Sequence, residues 1–580
     1  MNRKLALTAA ALAALLATTP GAGAAPTTED QTITGDASAA YSGLSAGPGQ
    51  ARVTRQEIVA AQAGRETRRT SLTYFGQLTD FQLSDEESPA RVEFLDVTGS
   101  PTTAAHRPQE ALVPFVVDHG IRAVNNHLTG PVSGAALEFN LVTGDQADNQ
   151  QRNEVEWVVK LLEGGRINPN SGVEHPCSLR PGEAAKYTGV QDHDDYYESG
   201  DHYDPDDPIG RYSAWPSYSG LMDRAQLPFT AEGSKVPTYV TLGNHDALMQ
   251  GNQWANAGFE AIATGCAKVF APVPLNDQVD ILNGTTTSPG NVFQVPPDSK
   301  RQIVDRAQYK AMHADAASND HGFGYVSPTE NAASNGAASY YTWEPKAGLQ
   351  MVSIETNADG GIAGDSASGN IDNSQWQWLQ GVLDANEAEL PATRDLVVVF
   401  GHHPERSLTA QTPDEAAPPC TGLNDGHGHD PNPGCDKDPR VSLPLHHGDE
   451  LVTELLDHPQ VIAYVAGHTH DNKLLPFART TGPAGGYWEI TTSALVDWPL
   501  QSRLIEVMDN HDDTLSIFGT LVDHLGPVTA PAPGAATGFN RQQLASVGRT
   551  FAFNDEQAGG GTGEGTALDR NAEMLLPDPR

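Results

Sequence analysis

Short apolar runs that break off in polar turns alternate along this chain with stretches of helical periodicity. Residues 71–78, 137–143, 236–242, 395–400 and 461–466 are rich in β-branched, aromatic and leucine side chains and read as buried strands. Between them apolar residues recur at helical spacing: Leu112, Phe115, Val116, Ile121 and Val124 within 111–128, then Val155, Val158, Val159 and Leu162. Trp376, Leu379 and Leu383 mark a third helix behind a capped start at 369–375, and 451–456 a fourth. Further strands are expected at 338–343 and 349–354, and the runs 487–491, 504–508 and 515–521 read as an antiparallel edge. This alternation predicts an α/β architecture with helices packed on a largely parallel or mixed sheet.

The pattern dissolves in three places, 164–235, 252–340 and 409–446, which read as long insertions. Lys300, Arg301, Arg306 and Lys310 lie on an expected helix in the second, read first as a solvated face and second as an anion-attracting patch. Residues 26–70 read as a polar surface extension, and 526–580 as a Pro/Ala/Gly-rich tail with a helical patch near Leu544, Val547 and Phe551.

The chemistry sits where the strands stop. They end in Thr79-Asp80-Phe81-Gln82, Gly144-Asp145-Gln146-Ala147-Asp148-Asn149, Gly243-Asn244-His245-Asp246, Gly401-His402-His403-Pro404 and Gly467-His468-Thr469-His470. Each fragment alone is ordinary turn chemistry. In this order, behind apolar strands, they would gather along the sheet edge where open α/β folds bind ligands. The donors are oxygen and nitrogen with no Cys, a set suited to Mn, Fe, Zn or Co. A carboxylate such as Asp145 can bridge two ions, and a pair about 3.5–4 Å apart can activate a water for in-line displacement at phosphorus. Within the third fragment Gly243 is expected to permit a sharp turn.

Charge narrows the partners. Asp and Glu outnumber Lys and Arg 74 to 35, a net charge of -39, which argues against general affinity for nucleic-acid polymers or anionic membranes. Residues 1–25 fit an export signal: Arg3 and Lys4, an apolar run over 5–17 too short to span a bilayer, then small residues suited to cleavage. No later stretch is long and apolar enough for a membrane anchor, so a soluble, secreted protein is expected. The four cysteines allow three pairings; Cys420 with Cys435 is favoured, leaving Cys177 with Cys266.

Taken together, the five fragments resemble the calcineurin-like metallophosphoesterase superfamily over roughly 71–525, and 371–379 is similar to the Gln-x-x-Trp-Leu helix of its bacterial phosphodiesterase-like members. The resemblance implies an αββα sandwich of two mixed sheets with a binuclear centre at their common edge. It assigns Asp80, Gln82, Asp145 and His470 to one ion, and Asp145, Asn244, His402 and His468 to the other. His245 would face the phosphate and stabilise the transition state or protonate the leaving oxygen, with Asp246 orienting its ring. Gln82 replaces the His of most members; a neutral amide oxygen favours Mn or Fe over Zn or Co as the two divalent or trivalent ions. Asp148 stands where purple acid phosphatases carry a metal-binding Tyr, so no iron–tyrosinate centre is expected. Beside the motifs, Asp148, Asn149 and Asp471 are candidates to orient ligands, and Arg406, equally well read as an exposed surface residue, and His403 are candidates to contact substrate. The implied activity is hydrolysis of a phosphomonoester or phosphodiester by a metal-bound hydroxide. Nucleotides, sugar phosphates and phospholipid head groups all fit. The alternative is a non-catalytic, metal-stabilised extracellular binding module.

Overall fold

Two mixed sheets pack face to face between outer helices, an αββα sandwich. The computed structural model describes residues 25–93, 95, 105–172, 205–208, 210–252, 257–269, 281, 292–358, 367–390, 394–412, 440, 442–482, 484–555 and 563–580. The expected signal segment, apart from Ala25, lies outside these residues, as do Cys177, Cys420 and Cys435 and so both expected cysteine pairings. Much of the first and third expected insertions lies outside them too. Among the described residues no helix is long and apolar enough to cross a membrane.

The seven-stranded sheet runs Val53–Arg55, Ala572–Pro577, Thr514–Asp523, Gln501–Asp509, Thr70–Leu78, Phe139–Thr143, Thr238–Thr241. The six-stranded sheet runs Tyr341–Lys346, Leu349–Ser353, Leu396–Phe400, Val461–Ala466, Gly486–Thr491, Lys473–Ala478. Phe75, Leu141 and Val240 of the first sheet share one buried cluster with Val398, Phe400 and Val465 of the second, because alternate side chains point to opposite faces. Val113–Asn125 and Arg541–Asn554 cover the first sheet, while Asn373–Glu387 and Gly448–Asp457 bury Leu379, Leu383, Leu451 and Leu455 against the second. Asp372 caps the third of these helices, its carboxylate accepting from the Gln375 backbone N–H at 2.7 Å.

The three strands of the first sheet that lead into candidate donor turns, Thr70–Leu78, Phe139–Thr143 and Thr238–Thr241, are adjacent and parallel. So are Leu396–Phe400 and Val461–Ala466 in the second. Their C-terminal ends therefore meet at one edge. Buried polar bonds stitch the sheets together there: Gln77 Nε2 donates to the Ala466 carbonyl at 2.8 Å and Thr241 Oγ1 to the Ile354 carbonyl at 3.0 Å.

Several expectations change. The segment 526–580 is no tail: Arg541–Asn554 packs in the core and Ala572–Pro577 is an interior strand, antiparallel to Thr514–Asp523 and parallel to Val53–Arg55. Six residues of weak alternation after a Gly-rich stretch hide that strand. Of the charged run in the N-terminal extension only Arg65 is buried, its Nη2 meeting buried Glu573 at 2.7 Å, while Glu66 and Arg68 are exposed. The expected antiparallel edge is divided: Gly486–Thr491 lies in the second sheet, parallel to Val461–Ala466 and antiparallel to Lys473–Ala478, and the other two strands pair antiparallel in the middle of the first. The basic residues of 300–310 form no open patch. Arg301 is fully buried and 3.0 Å from Asp85, Arg306 is buried 3.6 Å from Glu355, and Lys300 reaches Glu156 at 2.7 Å.

Candidate metal centre

The turns at the sheet edge hold their donor residues in an unusual backbone state. Asp80, Gln82, Asp145, His468 and His470 have φ of 52, 43, 54, 70 and 55°, the left-handed region that costs a side chain energy and persists only where the surroundings enforce it. The enforcement is visible. The N–H groups of Asp80, Gln82 and Gly467 donate to the carbonyls of Gly144, Asp145 and His402 at 3.1, 2.9 and 2.9 Å, lashing neighbouring turns together.

Two donor groups result. In one, ligand atoms of Asp80, Asp145 and His470 converge. Gln82 lies beside it with Nε2 3.3 Å from Asp145 Oδ2 and 3.2 Å from His470 Nε2, while Oε1 is buried without a hydrogen-bond partner, so a flip of the amide turns its oxygen to the group as the donor. In the other, Asn244 Oδ1 lies 3.0 Å from His402 Nε2 and 3.2 Å from His468 Nδ1. Asn244 Nδ2 donates to the Gly251 carbonyl at 3.0 Å, which points the amide oxygen inward. Asp145 Oδ2 sits 3.1 Å from His402 Nε2 and so belongs to both groups. All seven residues expected to bind metal are thus brought together.

Outer partners fix the imidazoles. The Thr143 carbonyl can only accept, so His402 Nδ1, at 2.7 Å, carries the proton and Nε2 faces the site. Asp497 Oδ2 does the same for His470 Nδ1 at 2.6 Å. Asp497 was not anticipated in the sequence; it lies beyond Gly486–Thr491, a further strand whose C-terminal end reaches this edge.

The ring of His245 has a different partner from the one expected. Its Nδ1 lies 3.0 Å from Asp148 Oδ1 and 3.2 Å from the Asp148 carbonyl, both acceptors, so Nδ1 is the protonated nitrogen. Asp148 is itself tied to buried Arg91. The Asp246 carboxylate instead accepts from the backbone N–H groups of Gly243, Gln146 and Ala147 at 2.9, 3.0 and 3.0 Å, clamping two turns. One residue past a histidine on a short helical turn, a side chain projects away from the ring. Gly243 is extended (φ -108°, ψ 177°) rather than sharply turned, and its lack of a side chain serves another end: a Cβ there would collide with Asp145 Oδ1.

Two proposed substrate contacts are otherwise engaged. Arg406 reaches Glu489, Asp471 and Thr469 at 3.1, 3.0 and 2.8 Å, so it braces the Gly467–His470 turn. His403 is buried with Nδ1 2.8 Å from Thr356 Oγ1 and Nε2 3.2 Å from the Ala367 carbonyl. Both nitrogens being occupied, His403 has none to offer substrate, although it lies beside His402 and His468. Asn149 Nδ2 reaches Asp148 and Glu154 at 3.3 Å each, so it supports the turn and touches none of the seven donors directly.

Charge balance shows what the pocket accepts. Burial disfavours a charged imidazole, yet Asp145 raises His402 to about 9 and Asp497 and Asp80 raise His470 to about 10. His403 is lowered to about 3 by burial and by His402, with Asp145 opposing. At His402 and His470 the carboxylates thus draw positive charge to the inward-facing nitrogens, where cations would replace protons, whereas burial, His403 and His402 hold His468 well below its ordinary value. With the orphaned Gln82 oxygen and the fixed tautomers, the donor set fits two metal ions.

No family model and no curated protein matches the chain. Among solved structures, a dimetal phosphatase from Danio rerio is similar at a TM-score of 0.34 and 11% identity, covering 78% of this chain and 99% of its own. A purple acid phosphatase from yellow lupin (Lupinus luteus) seeds aligns at a TM-score of 0.27 and 8% identity over 78% of this chain; the match spans 51% of the lupin chain.

Proposed function

We propose that this protein is a secreted, metal-dependent phosphoesterase of the calcineurin-like superfamily that hydrolyses a phosphomonoester or phosphodiester. The observation that carries the reading is the shared carboxylate: Asp145 touches both donor groups and also accepts from the His245 backbone N–H at 2.8 Å. Asp80, Gln82, Asp145 and His470 would hold one ion and Asp145, Asn244, His402 and His468 the other. A pair of such ions, Mn or Fe in preference to Zn or Co, supplies Lewis-acid activation of water and charge neutralisation at phosphorus.

The chain's own residues do the rest. His245, next to the shared carboxylate, hands a proton from Nε2 to the leaving oxygen. Asp148 holds Nδ1–H and stabilises the imidazolium before that transfer: burial lowers the ring's pKa, but Asp145 and Asp148 together outweigh it and keep the pKa above its ordinary value. Arg91 keeps Asp148 in place. Export rests on the apolar run 5–17 and its flanks.

The test is a panel of phosphomonoesters and phosphodiesters assayed after chelation and re-addition of Mn, Fe, Zn or Co. Metal-dependent hydrolysis that disappears in His245→Ala while metal content persists is the expected result. Silence across all metals and substrates would overturn the enzyme reading in favour of a binding module.

A further inference from the structure

Outside the five motifs, one loop braces half of the centre. Residues 495–497 follow the last parallel strand of the second sheet. The Leu495 backbone N–H donates to the Thr79 and Asp80 carbonyls at 3.2 and 3.1 Å, and the Val496 N–H to Asp80 at 3.1 Å. Asp497 then places Oδ2 2.6 Å from His470 Nδ1. Its other oxygen is held by Arg107 Nε at 2.9 Å and Gln109 Nε2 at 3.2 Å, and Gln109 also donates to the Val496 carbonyl at 3.1 Å. Asp80 and His470 belong to the same donor group, the one in which neutral Gln82 stands.

We propose that Asp497, anchored by Arg107 and Gln109, is a positioning residue that fixes His470 as an Nε2 donor and strengthens it, offsetting the weak donor Gln82 at that ion. This rests on the two-metal reading above. A carboxylate on the far nitrogen of an imidazole locks its tautomer and raises its basicity, and loss of such a partner typically weakens metal binding about 10–100-fold. The other group has no equivalent need, since His402 is set by a backbone carbonyl that no side-chain change removes.

The experiment is Mn2+ binding by equilibrium dialysis with metal analysis on the full chain, with circular dichroism to follow the fold. Wild type should take up two ions. Asp497→Asn should hold one with unchanged affinity and the other about 10–100-fold more weakly. Adding Gln82→His to that variant should restore the second ion, a rescue that a merely structural role would not give. Two ions bound by a folded Asp497→Asn with wild-type affinity would overturn the proposal and leave the two-metal reading intact. Wild type binding no metal would instead overturn that reading, and the proposal with it. If Asp497→Asn unfolds, Gln109→Met decides: a smaller weakening at one ion supports the proposal, and unchanged binding in the folded variant refutes it.

Discussion

His245 Nδ1 and Asp148 Oδ1 lie 3.0 Å apart, joining the imidazole to the turn that carries the shared carboxylate Asp145. Asp148→Asn should therefore act on turnover and not on metal. General acid–base groups contribute roughly 10²–10⁴-fold, so His245→Ala should lower kcat by about that factor and Asp148→Asn by somewhat less. Both should keep wild-type metal content; Asp145→Asn should lose metal and activity together. Steady-state kinetics alongside metal analysis checks all three.

Asp246 should behave differently. Its buried carboxylate serves three backbone donors across two turns. Asp246→Ala strands them, at about 1–3 kcal/mol for a buried group left without its partner. A lower midpoint in denaturant unfolding, with or without metal, is the expected outcome, and an unchanged midpoint would contradict the clamp.

Gly243→Ala tests close approach rather than turn formation. The added methyl meets Asp145 Oδ1 and the Asp145 backbone nitrogen. Because Asp145 touches both donor groups, both ions should bind more weakly, which dialysis followed by metal analysis reads directly.

Acid should destabilise the fold through a buried histidine pair away from the centre. His313 and His321 face each other, Nδ1 to Nδ1, at 3.2 Å. Burial lowers both: His321 to about 4, with Asp315 at 3.8 Å opposing, and His313 well below the usual range, helped by His321. The unfolded chain takes up protons near pH 6.5 that the fold refuses, so this contribution is full above that pH and is lost as pH falls towards 4. His321 alone would account for up to about 3 kcal/mol across that window. Urea unfolding at pH 7.5, 5.5 and 4.5 should show the loss, reduced in a folded His313→Phe variant.

The strands that carry ligands were legible because burial on both faces leaves near-continuous apolar runs, as in Leu396–Phe400 and Val461–Ala466. The turns after them were legible because few other roles call for His, Asn and Asp at successive strand ends. What escaped was pairing at a distance. Asp148 and Asp246 are both aspartates within a few residues of a strand end, and which of them meets His245 depends on how two turns pack, not on spacing. Asp497 and Arg107 are 390 residues apart in the chain and carry no shared signature until the fold sets them 2.9 Å apart.

Arg406 and Arg301 show the same limit from the other side. Sequence marks a cation but not its counter-charge, and in this acidic chain both cations are taken up by Asp and Glu of the protein itself. Gln82 was legible as a departure from pattern, whereas the carboxylate standing behind His470 was not.

The strand Ala572–Pro577 carries a consequence for how the molecule is made. It lies between Thr514–Asp523 and Val53–Arg55, and just before it the Gly563 carbonyl accepts from the Asn472 N–H beside the His468–His470 turn. A ribosome thus has to deliver the last strand before the first one gains its neighbour. Until then the nascent chain holds every candidate donor residue without the turn at Gly563 that supports them, so completion of the candidate centre waits on closure of the whole sheet.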